Sequence, residues 1–264
     1  MDDGGGRSEL FSEWIAHFQA NSERHRAMEA GIEWDARPIV DGPTRRAFVR
    51  SFQRFELGES GDGARLLSAA AEAGDPIYTE ALGLLVQEEQ KHSVLFLRAL
   101  QHLEALPLES HWTDAAFTQL RHLLGLRTEL GLFLIAETVA MGYFRALADR
   151  APDPVIRAVG RRVAEDEQDH IRFQIDRLRV GFRETPAPVR ALVGIAWGVV
   201  AAGAASVLVV DHGAALRACG VSPRTYWGSA MRNFRAAARS VLVDSYAPLL
   251  GPAQRPIPNA PDLS

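Results

Sequence analysis

The sequence has very little cysteine: Cys219 is the only one among 264 residues. A single cysteine excludes an internal disulfide and any zinc or iron–sulfur site with cysteine ligands. An excess of positive charge is also missing, since 29 Lys and Arg stand against 33 Asp and Glu, for a net charge of −4. This balance gives no electrostatic reason to expect a nucleic-acid partner. With 47% hydrophobic and 23% charged residues, the composition is that of a soluble globular protein.

The N-terminus lacks the basic and apolar regions of a secretory signal peptide, because it reads MDDGGGRSEL. A cytoplasmic location is therefore expected. Residues 191–210 carry no charge over 20 positions, which is long enough to span a bilayer. Nine of them are Ala or Gly, and small residues favour close contact between helices. We expect this segment to be a helix buried in the protein, with a homodimer interface or membrane contact as the less favoured alternatives.

The alternation of polar and apolar residues that is typical of strands is absent, whereas the 3.6-residue periodicity of helices recurs along the chain. The sequence therefore predicts an all-α fold. An N-terminal region (1–43) with one short helix (10–18) precedes a four-helix bundle (44–183), two C-terminal helices packed on the bundle (184–247) and a flexible tail (248–264). The predicted helices of the bundle and C-terminal region cover residues 44–73, 75–106, 113–150, 153–181, 188–216 and 222–247.

An internal repeat relates the second and fourth helices of the predicted bundle. Both begin with Asp-Pro, the favoured N-cap and first helical residue, at positions 75–76 and 153–154. The same offset of 78 residues places EEQKH (88–92) on DEQDH (166–170). Helical bundles often share apolar positions by coincidence, but a shared acidic cluster with a histidine is not explained in that way.

Each copy of the repeat contains Glu-x-x-His, as Glu89 with His92 and as Glu167 with His170. Residues three apart lie on one face of a helix, so both side chains of a pair can bind one metal ion. A solvated cluster of charges would explain either motif alone. Two motifs in the same register of a repeat indicate a metal site.

A two-metal site in a four-helix bundle also takes one Glu from each of the other two helices. Glu137 is the only acid in the apolar run GLFLIAETVAMGYF, and the repeat offset maps it to Glu59. Burying an unpaired acid is costly, which favours a ligand role for Glu137. Glu56 competes with Glu59, but its offset partner is Leu134. The predicted metal ligands are Glu59, Glu89, His92, Glu137, Glu167 and His170.

Four carboxylates and two imidazoles suit iron or manganese. We therefore expect two metal ions, which are iron, manganese or a mixed iron–manganese pair. Gly58 and Gly61 weaken the first helix of the bundle, which predicts a local distortion beside Glu59.

Over residues 44–181 the chain resembles the ferritin-like superfamily, specifically its di-iron carboxylate branch, in this six-ligand pattern. The LGES stretch around Glu59 is similar to that of uncharacterised bacterial ferritin-like proteins. The resemblance implies that Glu89 and Glu167 bridge the metals and that Glu59 and Glu137 are terminal ligands. It also implies that each histidine binds one metal ion.

By the same resemblance, the expected function is a di-iron oxidoreductase that activates dioxygen to hydroxylate, desaturate or N-oxygenate a small organic substrate. Electrons would come from an external donor or from the substrate, because no flavin, nicotinamide or iron–sulfur motif is present. Storage ferritins lack the second Glu-x-x-His, and arylamine N-oxygenases have a histidine where this chain has Val163. The alternative function is a non-catalytic or ferroxidase-type iron-binding protein, with or without membrane association.

An acid precedes each Glu-x-x-His, Glu88 in the first copy and Asp166 in the second. In the oxidases that these residues resemble, the equivalent acid reaches the histidine of the opposite motif. We therefore expect Asp166 to pair with His92 and Glu88 with His170. Tyr143 is expected in the core, and six histidines are expected to be surface or structural residues: His17, His25, His102, His111, His122 and His212.

Overall fold

The computed structural model describes residues 3–109, 126–244 and 252, and these residues form helices and connecting loops without a strand. The helices are α1 (Asp3–Ala30), α2 (Gly42–Glu59), α3 (Ala64–Glu72), α4 (Pro76–His102), α5 (Leu126–Arg150), α6 (Pro154–Phe182), α7 (Ala187–Ala218) and α8 (Pro223–Leu242). The predicted all-α class is confirmed for this part of the chain. The start of the third predicted helix, His111, His122 and nearly all of the predicted tail lie outside the described residues.

The two Asp-Pro helix starts form as predicted. The Asp75 side chain accepts a hydrogen bond from the backbone N–H of Tyr78, and Asp153 accepts from those of Val155 and Ile156. Asp153 is also buried and accepts from the backbone N–H of Ile39 at 2.8 Å. The second cap therefore also ties the start of α6 to the connection between α1 and α2.

The first predicted helix of the bundle is divided into α2 and α3. Gly63 precedes α3 with a φ of 64°, in the left-handed region that favours glycine. A Cβ on Gly63 would lie 2.6 Å from Cγ1 of Val86 in α4, so the close contact also requires glycine. The predicted distortion is thus a complete break, and α2 ends at Glu59.

Helix α1 is much longer than the predicted helix over 10–18 and belongs to the core. Phe11, Trp14 and Phe18 are buried, and their rings lie 5.8, 5.6 and 5.6 Å from the ring of Phe173 in α6. The expected boundary at residue 43 therefore does not separate α1 from the bundle. The apolar pattern alone ends at Phe18, because the next residues on this face are polar.

Helices α2, α4, α5 and α6 carry the predicted ligands. Helix α2 packs on α4, α4 on α6, and α6 on α5. A Cβ on Gly160 would lie 2.5 Å from Cβ of Leu147, so glycine permits the close approach of α5 and α6. Helices α4 and α6 run antiparallel, because Glu88 contacts His170 whereas His92 contacts Asp166.

Helix α7 packs on α2 and α5, and α8 packs on α5, α6 and α7. Both C-terminal helices are thus present, but the prediction that α7 is buried is wrong for its outer face. Trp197 and Ala201 are buried against the bundle, whereas Leu192, Ile195 and Val199 are 66%, 67% and 71% exposed. The pattern was uninformative because α7 is apolar on every side.

Two described helices, α5 and α7, are long and apolar enough to cross a membrane by length and composition alone. The most apolar part of α5 is 78% buried, as in the core helix of a globular protein, whereas that of α7 is 22% buried.

Candidate metal centre

The six predicted ligands come from the four helices of the bundle. Glu59 is the last residue of α2, α4 carries Glu89 with His92, α5 carries Glu137, and α6 carries Glu167 with His170. Four of the six form a compact cluster in which the ligand atoms all lie within 4.8 Å of one another: Glu89, His92, Glu167 and His170.

In this cluster the two imidazoles face the two carboxylates. Nδ1 of His170 lies 2.6 Å from Oε1 of Glu89. Nδ1 of His92 lies 3.6 Å from a carboxylate oxygen of Glu89 and 3.6 Å from one of Glu167. The imidazole rings are 5.5 Å apart. Each Nδ1 atom therefore points into the space between the helices.

Glu59 and Glu137 flank this cluster. The Glu59 carboxyl makes a hydrogen bond with the Glu89 carboxyl, and loss of hydration together with the Glu89 charge raises the pKa of Glu59 well above its usual range. Burial and the Glu89 carboxylate raise the pKa of Glu137 to about 8. The side-chain amide of Gln174 donates a hydrogen bond to Glu137. The structure therefore brings all six predicted residues to one centre.

The charged groups of the cluster shift one another's pKa values. Burial and the carboxylates of Glu89 and Glu137 raise the pKa of Glu167 well above its usual range. His170 and His92 hold the pKa of Glu89 well below its usual range despite burial. The Glu89 carboxylate correspondingly raises the pKa of His170 against the effect of burial. Four carboxylates and two imidazoles thus share a buried space in which additional positive charge would be stabilised.

Several buried atoms of the predicted ligands have no hydrogen-bond partner among the described residues: Nδ1 of His92, Oε2 of Glu137 and Oε2 of Glu167. Nδ1 of His170 and Oε1 of Glu89 face each other at 2.6 Å without the geometry of a hydrogen bond. Buried polar atoms are nearly always hydrogen-bonded, so a group of such atoms in one place requires an explanation. Oxygen and imidazole nitrogen are the ligands that iron and manganese accept. The residues present therefore fit a metal centre.

The two outer acids, Glu88 and Asp166, make the predicted crosswise pairs. Nε2 of His92 lies 2.9 Å from Oδ2 of Asp166, and Nε2 of His170 lies 3.0 Å from Oε2 of Glu88. Because a carboxylate accepts, each Nε2 carries a hydrogen, and in the neutral form of each ring Nδ1 then presents its lone pair. This is the tautomer that a metal-binding histidine requires.

Helix α1 supplies two residues that the sequence motifs missed. Nε2 of His25 lies 2.9 Å from Oδ1 of Asp166, and its Nδ1 lies 3.8 Å from Oε1 of Glu88. Nδ2 of Asn21 donates a hydrogen bond to Glu88 at 3.1 Å. Their spacing in the sequence could have identified them, because Asn21 and His25 continue the helix face of the buried Trp14 and Phe18.

The remaining described histidines and Tyr143 have structural contacts, as predicted. His17 contacts Asp169 at 2.9 Å, and His102 contacts Asp153 at 3.2 Å. Nδ1 of His212 lies 2.7 Å from Oγ of Ser51, and Tyr143 also hydrogen-bonds Ser51. Tyr143 is fully buried, and burial raises its pKa.

The choice between Glu59 and Glu56 can be tested by metal content. Glu59 contacts Glu89, whereas Glu56 accepts a hydrogen bond from Ser93 at 3.4 Å. We expect Glu59→Ala to weaken binding of at least one metal ion by about tenfold or more, because a ligand is lost, and Glu56→Ala to keep the wild-type content. Elemental analysis and metal titration of both variants check this, and greater loss in Glu56→Ala would contradict the assignment.

No known protein family, curated protein or solved structure matches this chain. Its function is therefore inferred from the geometry and chemistry of the site alone.

Proposed function

We propose that this protein is a di-iron oxidoreductase with a ferritin-like bundle, which activates dioxygen to oxidise a small organic substrate. One observation carries the proposal: two antiparallel Glu-x-x-His pairs face each other with buried Nδ1 and carboxylate oxygens that have no hydrogen-bond partner among the described residues. Two such pairs, with one more Glu from each of two further helices, form the ligand set of a two-metal carboxylate site.

The positions suggest a role for each ligand. Glu89 contacts both imidazoles and Glu167 contacts His92, so these two carboxylates are the proposed bridging ligands. Glu59 and Glu137, which flank the pair, would be terminal ligands, and each histidine would hold one ion through Nδ1. Iron is the proposed metal, with manganese or a mixed pair as alternatives of the same ligand chemistry. Two bound iron ions supply the electron-transfer steps that reduction of dioxygen requires.

The protein contributes placement and exclusion of water. Asp166 and Glu88 hold the Nε2–H of the two imidazoles and so fix both rings. Both histidines are fully buried and Glu167 is 1% exposed, which keeps water away from that side of the site. Gln174 donates a hydrogen bond to Oε1 of Glu137 and leaves Oε2, which has no hydrogen-bond partner among the described residues, for the metal.

Access to the site is on the side of α2 and α4. The Glu89 side chain is 19% exposed, and Glu59 is half-buried at the break between α2 and α3. A small substrate and dioxygen are therefore proposed to approach here. Electrons must come from another protein or from the substrate, because the only cysteine, Cys219, cannot form an electron-transfer centre by itself.

The proposal is tested with iron-loaded protein, reduced chemically and then exposed to ¹⁸O-labelled dioxygen. Small molecules retained through purification serve as candidate substrates, and mass spectrometry follows them before and after the reaction. We expect an organic product that contains labelled oxygen or has lost two hydrogens. Glu137→Gln protein, treated identically, should give none.

Two results would contradict the proposal. Consumption of dioxygen with formation of ferric iron but no organic product would indicate a ferroxidase. Absence of bound iron and manganese after loading would exclude a redox metal centre of either kind.

A further inference from the structure

We propose that the outer face of α7 and α8 docks this protein on an anionic membrane surface, an interaction that goes beyond the proposed oxidation chemistry. This face combines an apolar stripe on α7 (Leu192, Ile195, Val199 and Val210) with an arginine stripe on α8 (Arg224, Arg232, Arg235 and Arg239). The two stripes lie on neighbouring helices of one layer, which packs on the bundle.

The apolar stripe is unusually exposed for residues of its kind. Leu192, Ile195, Val199 and Val210 are 66%, 67%, 71% and 81% exposed, and they belong to one uncharged stretch of 20 residues. The opposite side of α7 packs Trp197, Ala201 and Ala205 against the bundle. Exposed apolar side chains grouped on one helix face are typical of an interaction site.

The arginine stripe carries charge of one sign only. Its four arginines are exposed, and residues 223–242 contain no acid. Within the described residues none of the four forms an ion pair with an acidic side chain. Positions 232, 235 and 239 are three and four apart, so these side chains share a face of α8.

Contacts between the helices place the two stripes side by side. Nε1 of Trp227 in α8 donates to Oγ of Ser206 in α7 at 3.2 Å, and Gly194 approaches Leu242 near the other end. Trp227 is 38% exposed beside the apolar stripe, and tryptophan favours the water–lipid interface. Asp211, the only acid in α7, is turned towards Arg54 at 3.7 Å and is 9% exposed.

This pattern suits a membrane surface better than another occupant. Apolar residues beside basic ones bind anionic lipid by entering the headgroup region while the arginines meet the phosphates. A second copy of the chain would present a second arginine stripe without acids on α8 to pair with it. Spanning is disfavoured because α2 and α5 cover the inner side of α7.

The test uses the full chain with metal bound and sedimentation with large vesicles. One set of vesicles contains phosphatidylcholine alone, and the other contains phosphatidylcholine with phosphatidylglycerol. We expect binding to the anionic vesicles only. High salt should release the protein, because screening weakens attraction between the arginines and the lipid charge.

Two double variants separate the contributions of charge and apolar contact. Arg235→Gln/Arg239→Gln should bind anionic vesicles about 25-fold more weakly, from about fivefold per arginine. The matched control Arg26→Gln/Arg161→Gln removes two exposed arginines from α1 and α6 and should bind anionic vesicles as the wild type does.

The apolar contact is tested by Ile195→Ser/Val199→Ser, which should weaken binding about tenfold. Both residues are exposed, so the variant should keep its helical circular dichroism.

Several outcomes would overturn the proposal. One is that the wild-type protein fails to bind anionic vesicles, and another is that it binds neutral vesicles equally well. A third is that the control Arg26→Gln/Arg161→Gln weakens binding as much as Arg235→Gln/Arg239→Gln does. A lipid-free dimer that Ile195→Ser/Val199→Ser dissociates would identify a second copy as the occupant. Protein that stays with membranes in high salt would indicate insertion. None of these variants removes a predicted metal ligand, so their metal content should equal that of the wild type. The result of the vesicle test is therefore independent of the proposed oxidation chemistry.

Discussion

Glu137→Gln should lose metal and yet make the metal-free protein more stable. Burial and the Glu89 carboxylate raise the pKa of Glu137 from 4.5 to about 8. The folded metal-free protein therefore holds a proton at neutral pH that the unfolded chain releases. Stability is consequently lost as the pH rises from about 4.5 through about 8. Gln has nearly the same shape, cannot titrate and can still accept the hydrogen bond from Gln174.

The expected gain in the free energy of unfolding of the metal-free variant is about 3 kcal/mol at pH 7, because about 1.4 kcal/mol accumulates per pH unit between pH 4.5 and pH 7. The gain should disappear below pH 4.5 and grow as the pH rises towards 8. Denaturant unfolding of chelator-treated protein at several pH values measures it. Equal stability of variant and wild type at all pH values would contradict the burial of an acid at this position.

With metal present the order of stability should reverse. A ligand that binds only the folded state stabilises it by about 4.1 kcal/mol at about 1,000 times its dissociation constant, which exceeds the expected gain of the metal-free variant, and Glu137→Gln lacks one predicted metal ligand. Glu129→Gln is the matched control, because Glu129 is also buried in α5 but lies 3.9 Å from Arg65. It should keep its metal and gain no stability. Full metal content in Glu137→Gln would remove Glu137 from the ligand set.

Asp166→Asn should weaken metal binding about 10–100-fold, the usual effect of losing the partner of a histidine ligand. Asn can present its amide N–H to Nε2 of His92, which would move the lone pair away from Nδ1. The variant should also be less stable, because the fully buried Arg162 pairs with Asp166. Leaving one member of a buried ion pair without its partner costs about 3–5 kcal/mol.

Glu88→Gln separates these two effects. Glu88 pairs with His170 and Asn21, and within the described residues no arginine contacts it. We expect a similar loss of metal affinity with a smaller loss of stability. Metal titration and denaturant unfolding measure both quantities for each variant. Asp169→Asn is the control. Asp169 lies in α6, as Asp166 does, but its partner is His17 of α1, so this variant should keep the metal affinity of the wild type.

A result in which Asp166→Asn and Glu88→Gln lose stability but keep full metal affinity would assign the outer acids a purely structural role. A difference in the pH at which half of the metal is released is a further readout. Protons compete with the metal for the histidine nitrogens, so this pH should rise in Asp166→Asn and Glu88→Gln and stay at the wild-type value in Asp169→Asn.

The site itself was largely predictable, because its residues obey two local rules. Helical spacing places Glu and His three apart on one face, and the 78-residue offset relates the ligands of one half of the bundle to those of the other. Antiparallel packing of α4 and α6 then converts the matched acids into crosswise pairs, as seen for Asp166 with His92. The offset also pointed to Glu59 rather than Glu56, and Glu59 is the residue that contacts Glu89.

The helical class, the Asp-Pro helix starts and the six residues that face one another could all be predicted from the amino-acid sequence. These features depend on intervals of a few residues or on repetition, both of which are visible along the chain. Packing between distant segments brings Asn21 and His25 to the outer acids, places Gly63 at the start of α3 against Val86, and leaves one apolar face of α7 exposed. Each of these depends on which surface meets a distant helix, and polar or uniformly apolar helix faces carry no periodic signal of their partners.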